Sequence, residues 1–274
     1  MAKLGIIAGA GTLPAQVINA CTEVGREFSI LAFEGSADPA EFDDLPVTWI
    51  KMSNLSAALK QARDAGVEEL VMAGKIPRPS VLELMRDPRS AKFMAKVGTR
   101  ILGDDNILSA VVKELEVTEG FRVIAPNQII DGLLAVPGAY GTLKPDDTAW
   151  ADIERGLAVV RELGKLDIGQ AAVVQNGLVI GVEGAEGTDA LIGRCAEFVD
   201  PEQQGGVLVK AAKPGQEERI DLPAIGVSTL MAAQKCGLRG IAVEAGRALV
   251  LERTDLIKEA DGAGLFVYGI SNAD

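Results

Sequence analysis

The sequence predicts an α/β fold in two domains, an N-terminal Rossmann-like domain on a parallel sheet and a C-terminal mixed α/β domain, joined by a Gly/Pro-rich linker. Three observations predict it. From the first residues, short apolar runs alternate with amphipathic stretches, the pattern of βαβ units. Near the middle, residues 135–145 (AVPGAYGTLKP) carry neither the helical nor the strand period. The 274 residues are too many for one core of about 100–150 and suit two.

The first domain is placed at 1–133. Leu4–Ala8 reads as a strand, 14–24 as a helix and Phe28–Phe33 as a second strand. Leu55, Ala58, Leu59 and Ala62 recur at helical spacing behind Ser53 and Asn54, two N-cap candidates, and Glu69–Ala73 follows as a strand. Helices over 89–102 and 105–119 and a strand over 121–125 complete this half. The linker is set at 134–147. The second domain, 148–274, opens with a helix over 148–166. Apolar runs at 171–175 and 178–182 then flank Asn176-Gly177, the strongest short hairpin signal. Strands at 207–211, 240–243, 248–251 and 265–268, with helices near 189–198, 227–236 and 254–260, make this half mixed α/β.

Composition narrows the chemistry. At 48% hydrophobic and 24% charged residues the chain has ample apolar surface to bury and is globular. Histidine is absent, which excludes Ser-His-Asp and Cys-His nucleophile systems, HExxH sites and imidazole bases. Acid–base work falls to carboxylate, lysine, tyrosine or metal-bound water. Cys21, Cys195 and Cys236 are distant and odd in number, forming neither a zinc motif nor a disulfide framework, which fits a reducing cytoplasm. With 27 basic against 39 acidic residues the net charge is -12, so no nucleic acid partner is expected. The apolar start is broken by Pro14 and reads as strand and turn rather than a signal peptide. The uncharged stretch 168–182 contains Gln170, Gln175, Asn176 and Gly177 and is too short and polar to span a bilayer.

Several segments carry candidate chemistry, each with a plainer alternative. Gly9-Ala10-Gly11-Thr12-Leu13-Pro14 lies between a strand and a helix, where backbone N–H groups and the helix dipole favour a phosphate. A tight turn capped by Thr12 explains it as well. A dinucleotide fingerprint wants glycine where Pro14 stands, although Glu34 supplies the acidic residue expected after the second strand. Lys75 and Arg78 in KIPRP, 75–79, emerge at the carboxyl end of a strand, where ligands of open α/β sheets bind, or form a solvated basic loop. Asp104 or Asp105 in GDD is a natural N-cap. The densest cluster, 210–226, sets Lys210, Lys213 and Arg219 beside Glu217, Glu218 and Asp221. It suits an anionic substrate held by cations while aspartate ligates a divalent metal, or a surface salt-bridge loop. EGTD, 186–189, and DIGQ, 167–170, read as a helix start and a polar turn.

In this order the segments resemble the UDP-2,3-diacylglucosamine pyrophosphatases of the LpxI type. The matching pieces are GIIAGAGTLP at 5–14, KIPRP at 75–79, GDD at 103–105, DIGQ at 167–170, EGTDA at 186–190, KPGQEERIDLPAIG at 213–226 and EAG at 244–246. The resemblance covers nearly the whole chain and rests mainly on the KPxQxxRxDLPxIG stretch. It implies a cytoplasmic enzyme of lipid A synthesis in a Gram-negative cell, peripheral at the inner membrane. The enzyme splits a lipid-linked UDP-sugar into UMP and the diacylglucosamine 1-phosphate, lipid X. It also implies a divalent metal, usually Mg²⁺ or else Mn²⁺, and a site between two hinged domains. The family's catalytic aspartate maps onto Asp221, which would help hold the metal.

On that resemblance Lys213 and Arg219 would neutralise substrate charge. Gly9, Gly11, Thr12, Leu13, Lys75, Gln170, Gly187, Thr188, Asp189 and Gln216 would contact the substrate. Two acyl chains need apolar burial worth about 0.8 kcal/mol per methylene. No basic amphipathic helix is evident, so membrane-surface contact is expected to be transient and lipid-mediated. A homodimer is compatible with the sequence. Two rival readings stay open: a dinucleotide-dependent oxidoreductase, resting on the first strand-turn-helix, and a non-catalytic nucleotide-sugar binding module.

Overall fold

The computed structural model describes residues 1–42, 45–76 and 104–271, apart from the side chains of Met52 and of residues 104–106. Two compact units emerge: Met1–Asp131 with Glu217–Asp221, and Gly132–Gln216 with Leu222–Asp274. The expected helix over 89–102 lies outside the described residues.

The first unit is a five-stranded, all-parallel sheet. Its strands are β1 (Leu4–Ala8), β2 (Phe28–Phe33), β3 (Val47–Ile50), β4 (Glu69–Ala73) and β5 (Arg122–Ile124), in the order β3-β2-β1-β4-β5. Ile6 is in register with Ile30 on one side and Val71 on the other. All five β1 residues are buried, as a central parallel strand requires, and its continuous apolar run reflects this. Helix α1 (Leu13–Glu23) turns Leu13, Pro14, Val17, Ile18 and Cys21 inward. Helix α2 (Leu55–Asp64) buries Ala58, Leu59 and Ala62. Helix α3 (Asp104–Val117) contributes Val112 and Leu115 to a core shared with Leu31, Ile50 and Leu70.

The second unit holds a six-stranded mixed sheet of β6 (Gly138–Ala139), β7 (Ala171–Gln175), β8 (Leu178–Val182), β9 (Val207–Lys210), β11 (Gly240–Glu244) and β13 (Phe266–Ile270). Their order is β6-β13-β11-β9-β7-β8, with a separate parallel pair of β10 (Ala224–Ile225) and β12 (Leu249–Val250). Strands β9, β11 and β13 are parallel, while β7 and β8 form the antiparallel hairpin that Asn176-Gly177 signals. Both turn residues have positive φ, 50° and 77°, as a type I′ turn demands. The fully buried Asp152 of α4 (Asp147–Lys165) secures that turn, accepting from Asn176 N at 3.0 Å and Gly177 N at 2.6 Å.

Alternate residues of the sheet face two layers. Val173, Leu208, Ile241, Val243 and Val267 point into a core with α5 (Thr188–Cys195), α6 (Val227–Lys235) and α7 (Arg253–Ala263). Val207, Val209, Ala242 and Phe266 meet Ala149 and Ile153 of α4. Gly156 permits that approach, since a Cβ there would lie 2.5 Å from Val209 Cγ2. Residues 134–147, the expected linker, are packed as part of this unit. Within them β6 pairs antiparallel with β13, and Leu134 bridges Leu249.

Candidate active site

In the first unit the strand order turns back at β1 and β4, the place where ligands of open parallel sheets bind. The loops leaving these strands are joined to each other. Gly9 N donates to Ala73 O at 2.8 Å, Ala10 N to Lys75 O at 2.9 Å, and Lys75 N to Ala10 O at 2.8 Å. Glycine is required on both sides: a Cβ on Gly9 would lie 2.5 Å from Lys75 O, and one on Gly74, at φ +86°, 2.5 Å from Ala10 O. Ser36, in the turn after β2, adds its Oγ to Lys75 O at 2.7 Å. The exposed Lys75 side chain therefore leaves a fixed backbone.

Thr12 stands at the N-cap of α1 but makes no side-chain cap, which corrects the expected turn. Its φ and ψ, −79° and −10°, are helical, and its Oγ1 accepts from Gln16 Nε2 at 3.2 Å. Gly11, at φ +96°, and Thr12 are exposed, whereas Leu13 is buried and anchors the helix. Glu34, the acidic residue the oxidoreductase reading needs, pairs with Lys51 at 3.0 Å. Pro77, Arg78, Pro79 and Gly103 lie outside the described residues. Asp104 and Asp105 open α3.

Residues 217–221 also belong to this unit. Arg219 grips Glu217 through both Nε and Nη2 at 2.8 Å, and Glu116 through Nη1 at 2.8 Å. The guanidinium hydrogen bonds hold the Glu217 carboxyl below the usual carboxylate range, and Glu217 and Glu116 push the Arg219 pKa up. Ile220 packs on the core, and the half-buried Asp221 donates its N–H to Glu217 O at 3.0 Å.

The second unit gathers three of the polar segments into one network. Lys213 and Gln216 are both buried, so this part of the dense cluster is not a solvated surface loop. Lys213 Nζ meets Asp167 Oδ1 at 2.5 Å, and Lys213 N donates to Gln216 Oε1 at 2.9 Å. Gln216 Nε2 reaches Gln170 Oε1 at 3.3 Å, and Gln170 N donates to Glu183 Oε2 at 3.0 Å. Thr188 Oγ1 donates to the other oxygen of Glu183 at 2.8 Å. Glu244 accepts from Ala212 N at 3.2 Å and stands 3.7 Å from Arg247. Gly187 precedes α5 at φ +83°, and Asp189 lies exposed in its first turn. Lys213, Gln216, Gln170 and Thr188 thus share one unit, while Gly9, Lys75, Arg219 and Asp221 belong to the other.

Ser36, Glu116 and Glu183 belong to no segment that the sequence singles out, and Asp167 stands in one, DIGQ, without a site role of its own. Asp167 alone left a signal, a short polar residue before Ile168-Gly169 that adopts φ +53°. Among the described residues no three carboxylates or thiols cluster to cage a metal. Asp221 still fits Mg²⁺ chemistry, because that ion is commonly held by one or two carboxylates together with substrate phosphates.

The family model described as LpxI N-terminal domain matches residues 3–133, and that described as LpxI C-terminal domain matches 136–268. A UDP-2,3-diacylglucosamine pyrophosphatase LpxI from Caulobacter vibrioides is 40% identical over 277 residues, 98% of each chain. Among solved structures, the WlbA dehydrogenase of Thermus thermophilus is 19% identical with a TM-score of 0.27, over 63% of this chain and 49% of that one. The biotin carboxylase domain of a Hydrogenobacter thermophilus 2-oxoglutarate carboxylase gives 15% and 0.21, over 72% of this chain and 40% of that one.

Proposed function

The chain belongs to the LpxI family, and from that premise we propose that it hydrolyses UDP-2,3-diacylglucosamine to UMP and 2,3-diacylglucosamine 1-phosphate. The observation that carries the reading is the 40% identity to a protein of that name over 98% of both chains. One P–O bond of the pyrophosphate breaks and water supplies the new oxygen. Such reactions are accelerated by positioning and by neutralising phosphoryl charge, for which the chain has suitable groups.

Lys75 and the exposed Gly11-Thr12 start of α1 offer a cation and a helix N-terminus to an anionic part of the substrate. Lys213 brings a buried ammonium, oriented by Asp167, into a network that Gln170, Gln216 and Thr188 extend toward polar sugar groups. Arg219, locked by two carboxylates, shapes the turn that presents Asp221. Asp221, with substrate phosphates, would hold Mg²⁺ or Mn²⁺ and accept a hydrogen bond from the attacking water. When bound, that cation supplies electrophilic polarisation of phosphoryl oxygens. Among the described residues no helix is long and apolar enough to cross a membrane.

The test is UMP release from UDP-2,3-diacylglucosamine with Mg²⁺ and with excess EDTA, comparing wild type with Asp221→Ala and Asp221→Asn. Release that needs Mg²⁺ and falls about 100-fold or more in both variants, with unchanged unfolding curves, is expected. Release unaffected by EDTA sinks the metal, activity kept by both variants sinks Asp221, and no release from folded wild type sinks the reaction.

A further inference from the structure

The three loops at the turning point of the first sheet are clasped through a single carbonyl. Lys75 O accepts from Ala10 N at 2.9 Å and from Ser36 Oγ at 2.7 Å, which ties the loops after β1, β2 and β4 together. Both lone-pair directions of that oxygen are thereby used, and Lys75 N returns a bond to Ala10 O at 2.8 Å. The Ser36 turn is itself anchored. Ser36 N and Ala37 N both donate to Phe33 O, at 3.1 and 3.0 Å, Gly35 turns at φ +75°, and Glu34 N donates to Ile50 O at 2.9 Å. Ser36 is therefore held in the turn after β2, from which its hydroxyl reaches a loop 39 residues away.

The folded sheet does not depend on this hydroxyl. Strands β1, β2 and β4 are joined along their full length by their own ladders, and Ala8, Ala32 and Ala73 are aligned and buried. Beyond them, the hydroxyl bond adds only a tie from the Lys75 backbone, already bridged to Ala10 ahead of α1, to the turn after β2. A lysine stem otherwise swings freely, and charge presented from a loose loop gives an anion less than the same charge held in place.

We propose that Ser36 is a positioning residue for anion recognition at this edge. It fixes the Lys75 backbone so that the Lys75 ammonium and the Gly11-Thr12 backbone face a phosphate-bearing ligand, of the nucleoside diphosphate class, together. This rests on the reading that Lys75 contacts the substrate, and it adds a residue that neither the motifs nor the family match singles out. Ser36 acts through Lys75 and touches no reacting atom.

The experiment is a double-mutant cycle on the full chain, with Ser36→Ala, Lys75→Met and the pair, and Ser36→Thr as the conservative variant. UDP affinity is read by calorimetry, KM and kcat by UMP release, and folding by thermal unfolding. A lost neutral hydrogen bond of ordinary strength corresponds to about a fivefold effect. Ser36→Ala should weaken UDP and raise KM about fivefold with kcat nearly unchanged, and Ser36→Thr should restore both. In the Lys75→Met background Ser36→Ala should have no further effect.

Wild-type affinity in Ser36→Ala overturns the proposal, as does an equal loss in both backgrounds, which would mark a merely structural bond. A wild type that turns over while Lys75→Met binds UDP normally refutes the role of Lys75, and the proposal with it. A folded wild type that neither binds UDP nor releases UMP refutes the proposed function instead.

Discussion

Replacing Asp167 by asparagine isolates the electrostatic part of its contact with Lys213, because the backbone already favours the change. Asp167 sits at φ +53°, a left-handed conformation in which asparagine is at least as comfortable as aspartate. The variant keeps side-chain shape and one oxygen acceptor, and it loses charge 2.5 Å from an ammonium whose side chain is 9% exposed. An exposed ion pair contributes about 0–1 kcal/mol, and breaking a fully buried one costs about 3–5 kcal/mol. Asp167 is 25% exposed and Lys213 has a further interaction, so the loss falls between these limits, about 1.5–3 kcal/mol. At about 3 °C per kcal/mol the transition drops by about 5–9 °C.

The two tryptophans separate the units, since Trp49 lies in β3 and Trp150 in α4, edge-on to Tyr268 at 5.0 Å. Urea unfolding of Asp167→Asn followed by Trp150 fluorescence in a Trp49→Phe background reads the second unit directly. A lower midpoint with unchanged slope is expected. A stability loss of less than about 0.5 kcal/mol, or a raised midpoint, would show that the pair behaves as a surface contact and refute the reasoning.

Two further predictions concern the first unit. The Glu217 carboxyl, held low by Arg219, adds stability that is present above the ordinary carboxylate pKa of about 4.3 and lost as pH falls through its depressed value. Glu217→Gln should therefore flatten the acid limb of unfolding followed through Trp49, and an unchanged limb would contradict the pairing. Gly74→Ala meets both a positive φ and a carbonyl oxygen at 2.5 Å, whereas Gly11→Ala, at φ +96°, meets nothing within 4 Å. Thermal unfolding should rank Gly74→Ala as the costlier by about 1 kcal/mol or more, and the reverse order would remove the case for the β1–β4 loop bridge.

The parts of the fold that were legible in the sequence are those whose signal is local. The buried runs at Leu4–Ala8 and Glu69–Ala73 read as strands because central parallel strands are nearly continuous apolar runs, and Asn176-Gly177 marks its hairpin because both residues tolerate positive φ. Strand β3 leaves little local signal because it is four residues long with only Ile50 buried, and β6 and β10 have two residues each. Polar pairings were out of reach for another reason. Lys213 and Asp167 are 46 residues apart, and Arg219 and Glu116 103. The motifs around them were visible, but the topology determines which of them meet, so a buried network and a surface salt-bridge loop have the same sequence appearance.

Because residues 217–221 complete the first unit, the order of synthesis does not match the order of assembly. When Asp131 leaves the ribosome every strand of the first sheet has been made, yet Glu116 still awaits Arg219 and the core still awaits Ile220. Both arrive only after β9 of the second sheet has been translated. A fragment ending at Asp131 therefore lacks both the Arg219–Glu116 pair and the Ile220 contact, and a gene split at that point would produce an incomplete half.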